Sequence, residues 1–206
     1  MKTIFIFIMV RTLLFLVFFF ICALETEYKK EDATTKELTV VLATDSFLKI
    51  NGKTNVSTFE CEFNMSAISK SIAITYVDFE NNIEFDDAKL ILPNVEFDCG
   101  GKAINKDFKA LLKTEEFPEI TLKLIELSKV KTSSNSRTAT IEISISNVVK
   151  TYNIPVSIVN NDILHVNGVM PLDITDFNLV APAKMLGMVK VSPLIEIEFS
   201  LKIKAS

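Results

Sequence analysis

KALLKTEEFPEITLKL, Lys109 to Leu124, holds two kinds of secondary structure in one short stretch. Its first half is helix-like, with Ala110, Leu111 and Leu112 set among lysines and acids. Phe117-Pro118 then breaks the pattern, because the residue before a proline avoids the helical region. Beyond it Ile120, Leu122 and Leu124 alternate with Thr121 and Lys123, the period of a half-buried strand. Most of the chain downstream of the N-terminus alternates in the same way. The fold question is therefore why an otherwise all-strand protein carries one charged helix that runs through a proline into a strand.

Working outward, short apolar or alternating segments recur from Leu38 onward: LTVVLA, SFLKI, TFECEF, SIAITYV, AKLILPNVEFDC, EITLKLIEL, TATIEISIS, TYNIPVSIV, DILHVNGV and LIEIEFSLKIK. Turn-like joints separate them, among them Asn51-Gly52, Asn81-Asn82, Asn160-Asn161-Asp162 and the polar run Thr132 to Arg137. Many short strands with frequent reversals and one short helix predict an all-β domain, a closed antiparallel barrel or a sandwich. The alternation says which side goes in. Phe59, Cys61 and Phe63 share a face against Glu60 and Glu62. Ile141, Ile143 and Ile145 share another. In the last strand Ile195, Ile197, Phe199, Leu201 and Ile203 oppose Glu196, Glu198 and Lys202. One greasy and one charged face is what an antiparallel sheet with a solvated outer surface requires.

The N-terminus reads differently. Thr12 to Ala23, TLLFLVFFFICA, is a dense apolar run preceded by Lys2 and Arg11 and by no acid. That is the layout of a secretory signal over residues 1–23, with Ala23 at the cut. The rival is an uncleaved anchor; Arg11 counts against it, since a cation in mid-span costs about 2.5–3.5 kcal/mol. Lipidation at Cys22 would need smaller residues than Phe19-Phe20-Ile21 before it. Residues 24–37 are polar and charged and read as a lead-in, leaving 38–206 as a single domain. The leader takes away two positive charges, so the rest holds 20 basic against 26 acidic residues, net −6. That balance disfavours nucleic acid as a partner and leaves membrane contact to the leader or anchor alone.

Cys61 and Cys99 remain after the leader. In an exported protein they can pair, worth roughly 3–4 kcal/mol in the chain-entropy model, or stay as two buried thiols. No catalytic constellation accompanies them. The one histidine, His165, alternates with Leu164 and Val166 and is expected to point outward; Cys61, Cys99 and His165 lack any zinc spacing. Gly100-Gly101-Lys102 lacks the upstream glycine and the following Ser/Thr of a phosphate loop. Glu115-Glu116 and Asp86-Asp87 read as solvated turns or helix ends, and Asn55-Val56-Ser57 and Asn64-Met65-Ser66 match glycosylation sequons. Neither an enzyme nor a cofactor is expected.

Four segments, in order, resemble the YceI-like family of lipocalin-like barrels. They are NGKTNVSTFECEF (Asn51–Phe63), LILPNVEFDCGGKAINKDFKALLKTEEFPEITLKL (Leu90–Leu124), ISNVVKTYNIPVSIV (Ile145–Val159) and VNGVMPLDITDFNLVAPAKMLGMVKV (Val166–Val191). The last contains the Asp176-Phe177 pair. Two departures stand out: Ile174 replaces an Arg that other branches carry two residues before that pair, and Asn147 replaces a turn glycine. Asn tolerates a left-handed turn.

The resemblance implies an extended antiparallel barrel of about eight or more strands, exported to the periplasm or cell envelope. Its apolar lumen would hold a long isoprenoid or acyl chain, for storage or transport. The expected lining is Phe59, Cys61, Phe63, Phe108, Leu111, Ile141, Ile143, Phe177, Phe199 and Leu201. A helix near Asn105–Lys113 would cover or plug one barrel end and stop at Phe117-Pro118. Burial of an apolar tail needs no hydrogen-bonding code, at about 0.8 kcal/mol per methylene. The same residues packed on each other would be an ordinary core, and the alternative function is then a ligand-free structural or protein-interaction module of the envelope. A homodimer is compatible with either.

Overall fold

The computed structural model describes residues 34–68, 71–129, 135–184 and 188–205. The leader over 1–23, Cys22 and most of the lead-in lie outside the described residues. The barrel begins at Thr35, inside the stretch read as lead-in, because Thr35 to Lys36 already pair with Val77 and Tyr76.

β1 (Thr35–Leu42) and β2 (Phe47–Lys53) run one after the other along a single edge of the last strand, β14 (Leu194–Ala205). β1 takes Ile203 to Ala205 and β2 takes Glu196 to Ser200, so Ala43 to Ser46 bulge out against Leu201 and Lys202. The bulge is pinned three ways. Ala43 N–H donates to the Lys202 carbonyl (2.8 Å), Lys202 N–H donates to the buried Ser46 Oγ (3.0 Å), and the Lys202 ammonium pairs with Asp45. The Ser46 hydroxyl thus stands in for the ladder carbonyl the bulge displaces. β5 (Asn82–Asp87) and β6 (Lys89–Pro93) repeat the device on β8 (Glu119–Ser128), where Leu124 N–H donates to the Ala88 carbonyl (2.9 Å).

These two breaks divide the wall into two levels. At the upper level β1, β4 (Ile72–Asp78), β5, β8, β9 (Ser136–Ile145), β10 (Val148–Asn160), β11 (Leu164–Asp173) and β14 close into a ring through the β1–β14 pairs. At the lower level β14 continues instead to β2, β3 (Thr58–Phe63) and β7 (Phe97–Asp98), while β6 lies on β8. A 3₁₀ turn, Asn94–Glu96, links β6 to β7. A small hairpin, β12 (Ala183–Lys184) and β13 (Val189–Lys190), precedes β14. The antiparallel, lipocalin-like barrel is therefore as expected. So is the tolerance at Asn147: the β9–β10 turn places Ser146 and Asn147 at φ 47° and 64°.

The helix, α1, spans Lys102–Leu111, three residues ahead of its expected start, because the Gly101 carbonyl already accepts the Asn105 N–H (3.0 Å). It also ends sooner than Phe117-Pro118: Lys113 takes a left-handed φ of 51°, and the Glu116 and Phe117 N–H groups both turn back to its carbonyl. Ile104, Phe108 and Leu111 pack on the lower core. There Phe97 sits between Phe63 (centroids 5.0 Å) and Phe108 (5.1 Å). The proline segment is tied to the same end by Asn94, which is buried. Its N–H donates to the Pro118 carbonyl (2.8 Å), and its Nδ2 donates to the Phe117 carbonyl (2.8 Å) and to Thr114 Oγ1 (3.3 Å). The helix is a plug, and Phe117-Pro118 is the strap that returns from it to the wall.

Cys61 on β3 and Cys99, just before α1, form a buried disulfide. It pins the entrance of the helix to the lower wall and closes a loop with a sequence separation of 38. Replacing both by alanine should lower unfolding free energy by about 3–4 kcal/mol through loop entropy. Urea unfolding of the oxidised parent beside Cys61→Ala/Cys99→Ala measures it, and equal midpoints would mean the bridge constrains nothing.

Candidate functional site

Register and burial together define the inner surface. In the lower level the inward positions are filled: Leu48, Ile50, Cys61, Phe63, Leu92, Ile120, Ile143, Ile145, Met170 and Leu172 are all buried in one contiguous cluster. Two wall contacts thin this region. A Cβ on Gly52 would collide with the ring of its cross-strand neighbour Phe59, and one on Gly168 with the ring of Phe199. Each ring therefore lies flat over a glycine of the next strand, filling the place of the missing side chain.

The upper level is built from the same kind of residue but is not packed in the same way. β1 and β4 set Leu38 against Ile74 and Val40 against Ile72. β4 and β5 set Tyr76 against Phe85, and β5 and β8 set Ile83 against Leu127. On the far side Leu164 faces Ile203, and Val166 faces both Leu201 and Ile158. Leu127, Ile141, Ile158 and Val166 rest on the packed cluster and form a floor. Above that floor Ile74, Tyr76, Phe85, Leu201 and Ile203 lie outside the cluster and are half-buried although they occupy the inner register; Leu38 is 37% exposed. Packed interiors leave few voids, and these side chains stand apart from the packed cluster below them.

The expected lining divides accordingly. Cys61, Phe63, Ile143 and Phe177 are at most 2% exposed and belong to the packed core. Phe59, Phe108, Leu111, Ile141 and Phe199 are half-buried against that core. Leu201 alone of the ten stands above the floor. Ile74, Tyr76 and Phe85, which the sequence reading did not select, stand there with it. The signal for Ile74 and Tyr76 was present in the alternation of SIAITYV, but the strongest alternation elsewhere marked the tightest packing.

Other candidates resolve into structural roles. His165 is on the outward register of β11, between inward Leu164 and Val166. Both sequon asparagines are engaged: Asn55 bridges the Met188 carbonyl and the Lys190 N–H, and Asn64 caps the 3₁₀ turn Met65–Ala67 while donating to Glu96. Among the described residues no group of three His, Cys, Asp or Glu side chains is placed to hold a metal. At the rim of the upper level Asp78 takes Lys36 Nζ (3.0 Å) on one oxygen and the Lys129 ammonium on the other. The hydrogen bonds from Lys129 and Lys36 hold its carboxyl below the usual range.

The Asp176-Phe177 pair is likewise structural. Phe177 is wholly buried, and Asp176 accepts the Tyr152 hydroxyl (3.0 Å). Burial first, then that hydrogen bond, push the Tyr152 phenol up to about 12 from 10.0. The raised value favours the protonated phenol in the folded state, so its contribution is complete below pH 10 and is lost as pH rises toward about 12. Ultraviolet titration should show one tyrosine ionising late, absent in Tyr152→Phe, which should cost about 0.5–1.5 kcal/mol; an ordinary titration for all tyrosines would refute the contact.

Comparison with known proteins agrees with this architecture. No curated protein matches the chain in sequence. Among solved structures, a polyisoprenoid binding domain from Saccharophagus degradans, implicated in plant cell wall breakdown, superposes with a TM-score of 0.58 at 12% identity, covering 82% of this chain and 99% of that one. BcnA of Burkholderia cenocepacia superposes with a TM-score of 0.55 at 17% identity, covering 77% and 95%. At such identities the likeness concerns the fold alone. The family model of the YceI-like domain matches residues 86–203, from the end of β5 to the last strand. That range takes in more than half of the 206 residues and both faces of the helix plug, and the chain belongs to the YceI-like family.

Proposed function

We propose that the protein is an exported, non-enzymatic carrier that holds a long apolar molecule, isoprenoid or acyl in type, in the upper level of the barrel. The observation that carries the reading is the contrast between the two levels: a lower interior packed to closure, and an upper interior in which Ile74, Tyr76, Phe85, Leu201 and Ile203 are left half-exposed. Burying ten methylenes there would contribute about 8 kcal/mol, the scale of a micromolar Kd before ordering costs. Among the described residues the apolar inner positions of the upper level, Leu38, Ile74, Phe85, Leu201 and Ile203, carry no acid–base pair, which favours holding over chemistry. Similarity to a polyisoprenoid binding domain supports the ligand class. The leader-like N-terminus and the Cys61–Cys99 bridge support export, because disulfides persist in oxidising compartments.

One observation favours the second reading, a protein-interaction module. Val56 and Met188 are 70% and 64% exposed on loops that Asn55 joins, Val180 ahead of the β12–β13 hairpin is 84% exposed, and exposed apolar side chains grouped together mark contact surfaces.

Two substitutions separate a lumen from a core. Leu201→Trp should fit without loss of stability and abolish uptake of a fluorescent fatty acid. If the upper level were packed, it would instead cost about 1–3 kcal/mol by overpacking. Ile143→Ala, in the lower core, should cost about 2–5 kcal/mol and leave uptake by the folded fraction unchanged. The reading fails if Leu201→Trp binds the probe as the parent does.

A further inference from the structure

Of the inner side chains that stand above the floor, outside the packed cluster, Tyr76 alone carries a polar atom; Leu38, Ile74, Phe85, Leu201 and Ile203 are hydrocarbon throughout. The Tyr76 ring is positioned from two sides. Phe85, opposite it on β5, lies at 6.1 Å between centroids. Lys36, opposite it on β1, sets its ammonium 5.9 Å from the ring centroid while pairing with Asp78 (3.0 Å). The hydroxyl, by contrast, is uncommitted. Tyr152 gives its hydroxyl to Asp176, whereas that of Tyr76 has no hydrogen-bond partner among the described residues. The phenol is thus held as a ring and left open as a hydrogen-bonding group, in the one part of the interior whose apolar side chains are half-exposed.

A bare hydrocarbon laid against this position would take water from the hydroxyl and give nothing back, and an unsatisfied polar group is costly. A ligand with an oxygen at the same depth restores the bond. A site built around such a group discriminates against analogues that lack it. We propose that Tyr76 is the specificity-determining residue of the upper level and that its occupant is a long-chain alcohol or carbonyl compound, whose oxygen meets the Tyr76 hydroxyl while its tail lies on Ile74, Phe85 and Leu201. The phenol donates to a carbonyl oxygen, and it either donates to or accepts from an alcohol. The inference rests on the carrier reading and adds to it the functional group of the ligand. The Lys36–Asp78 pair then serves the ring rather than the ligand.

The test measures displacement of diphenylhexatriene, a hydrocarbon probe, from the full chain and from its Tyr76→Phe variant by dodecanol, methyl undecanoate and chlorododecane. Comparing each competitor with itself on the two proteins cancels differences in solubility. Tyr76→Phe keeps the ring and its contacts, so the melting temperature should stay within error and chlorododecane should compete as before. Dodecanol and methyl undecanoate should each weaken about three- to tenfold, the worth of one hydrogen bond. An isotope-labelled ester bound to the parent should show its carbonyl stretch at lower frequency than in hydrocarbon solvent, a shift absent from Tyr76→Phe. Equal loss for all three competitors, or loss for none, would overturn the role of Tyr76 and keep the carrier. Displacement by none of them from the parent would remove the carrier reading and the role of Tyr76 with it.

Discussion

One strand edge with two successive partners shapes this barrel. β14 pairs with β2 along Glu196 to Ser200 and with β1 along Ile203 to Ala205, and the residues between are held to a bulge by Ser46 and Asp45. Unpaired backbone groups are costly where water cannot reach them, so a strand that changes partner must settle its ladder at the change. The hydroxyl of Ser46 does this on one side of the barrel and the Ala88 carbonyl on the other. With both seams fixed, the wall has two levels that can be finished differently.

The lower level is finished as a core. α1, the Asn94–Glu96 turn and the Phe63–Phe97–Phe108 stack fill the opening that remains where β7 leaves β6, and the disulfide fastens the helix entrance to β3. Phe59 and Phe199, laid flat over Gly52 and Gly168, keep the wall thin without leaving a void. Among the described residues no helix covers the upper level. Its ring closes through the β1–β14 pairs, and Ile74, Tyr76, Phe85, Leu201 and Ile203 lie outside the packed cluster. The self-packed lower half supplies cohesion to a wall whose upper inner side chains Ile74, Tyr76, Phe85, Leu201 and Ile203 are half-exposed.

Much of this was legible in the sequence. Period-two alternation gave the strands and their inner faces, and the Phe117-Pro118 break marked the passage from helix to wall. Three matters were not legible. The bulges at Ala43–Ser46 and near Ala88 depend on which strand lies opposite, which local pattern does not encode. The same separation of partners hid the two levels, so Phe63, Ile143 and Phe177 read as lumen although they are core, while Ile74 and Phe85 went unselected. The pairing of Cys61 with Cys99 needed the approach of β3 to the Gly100-Gly101 joint, a contact that spacing leaves open.

The central claim is that the upper level holds a molecule the chain does not provide. The full chain would be expressed into an oxidising compartment, purified without detergent, and weighed by mass spectrometry under native and denaturing conditions. The account predicts a native mass in excess of the denatured one, lost to organic solvent and recovered there as an apolar, long-chain compound. Identical native and denatured masses, from cells rich in such lipids, would contradict it and leave the exposed Val56, Val180 and Met188 surface as the better guide to what the protein does.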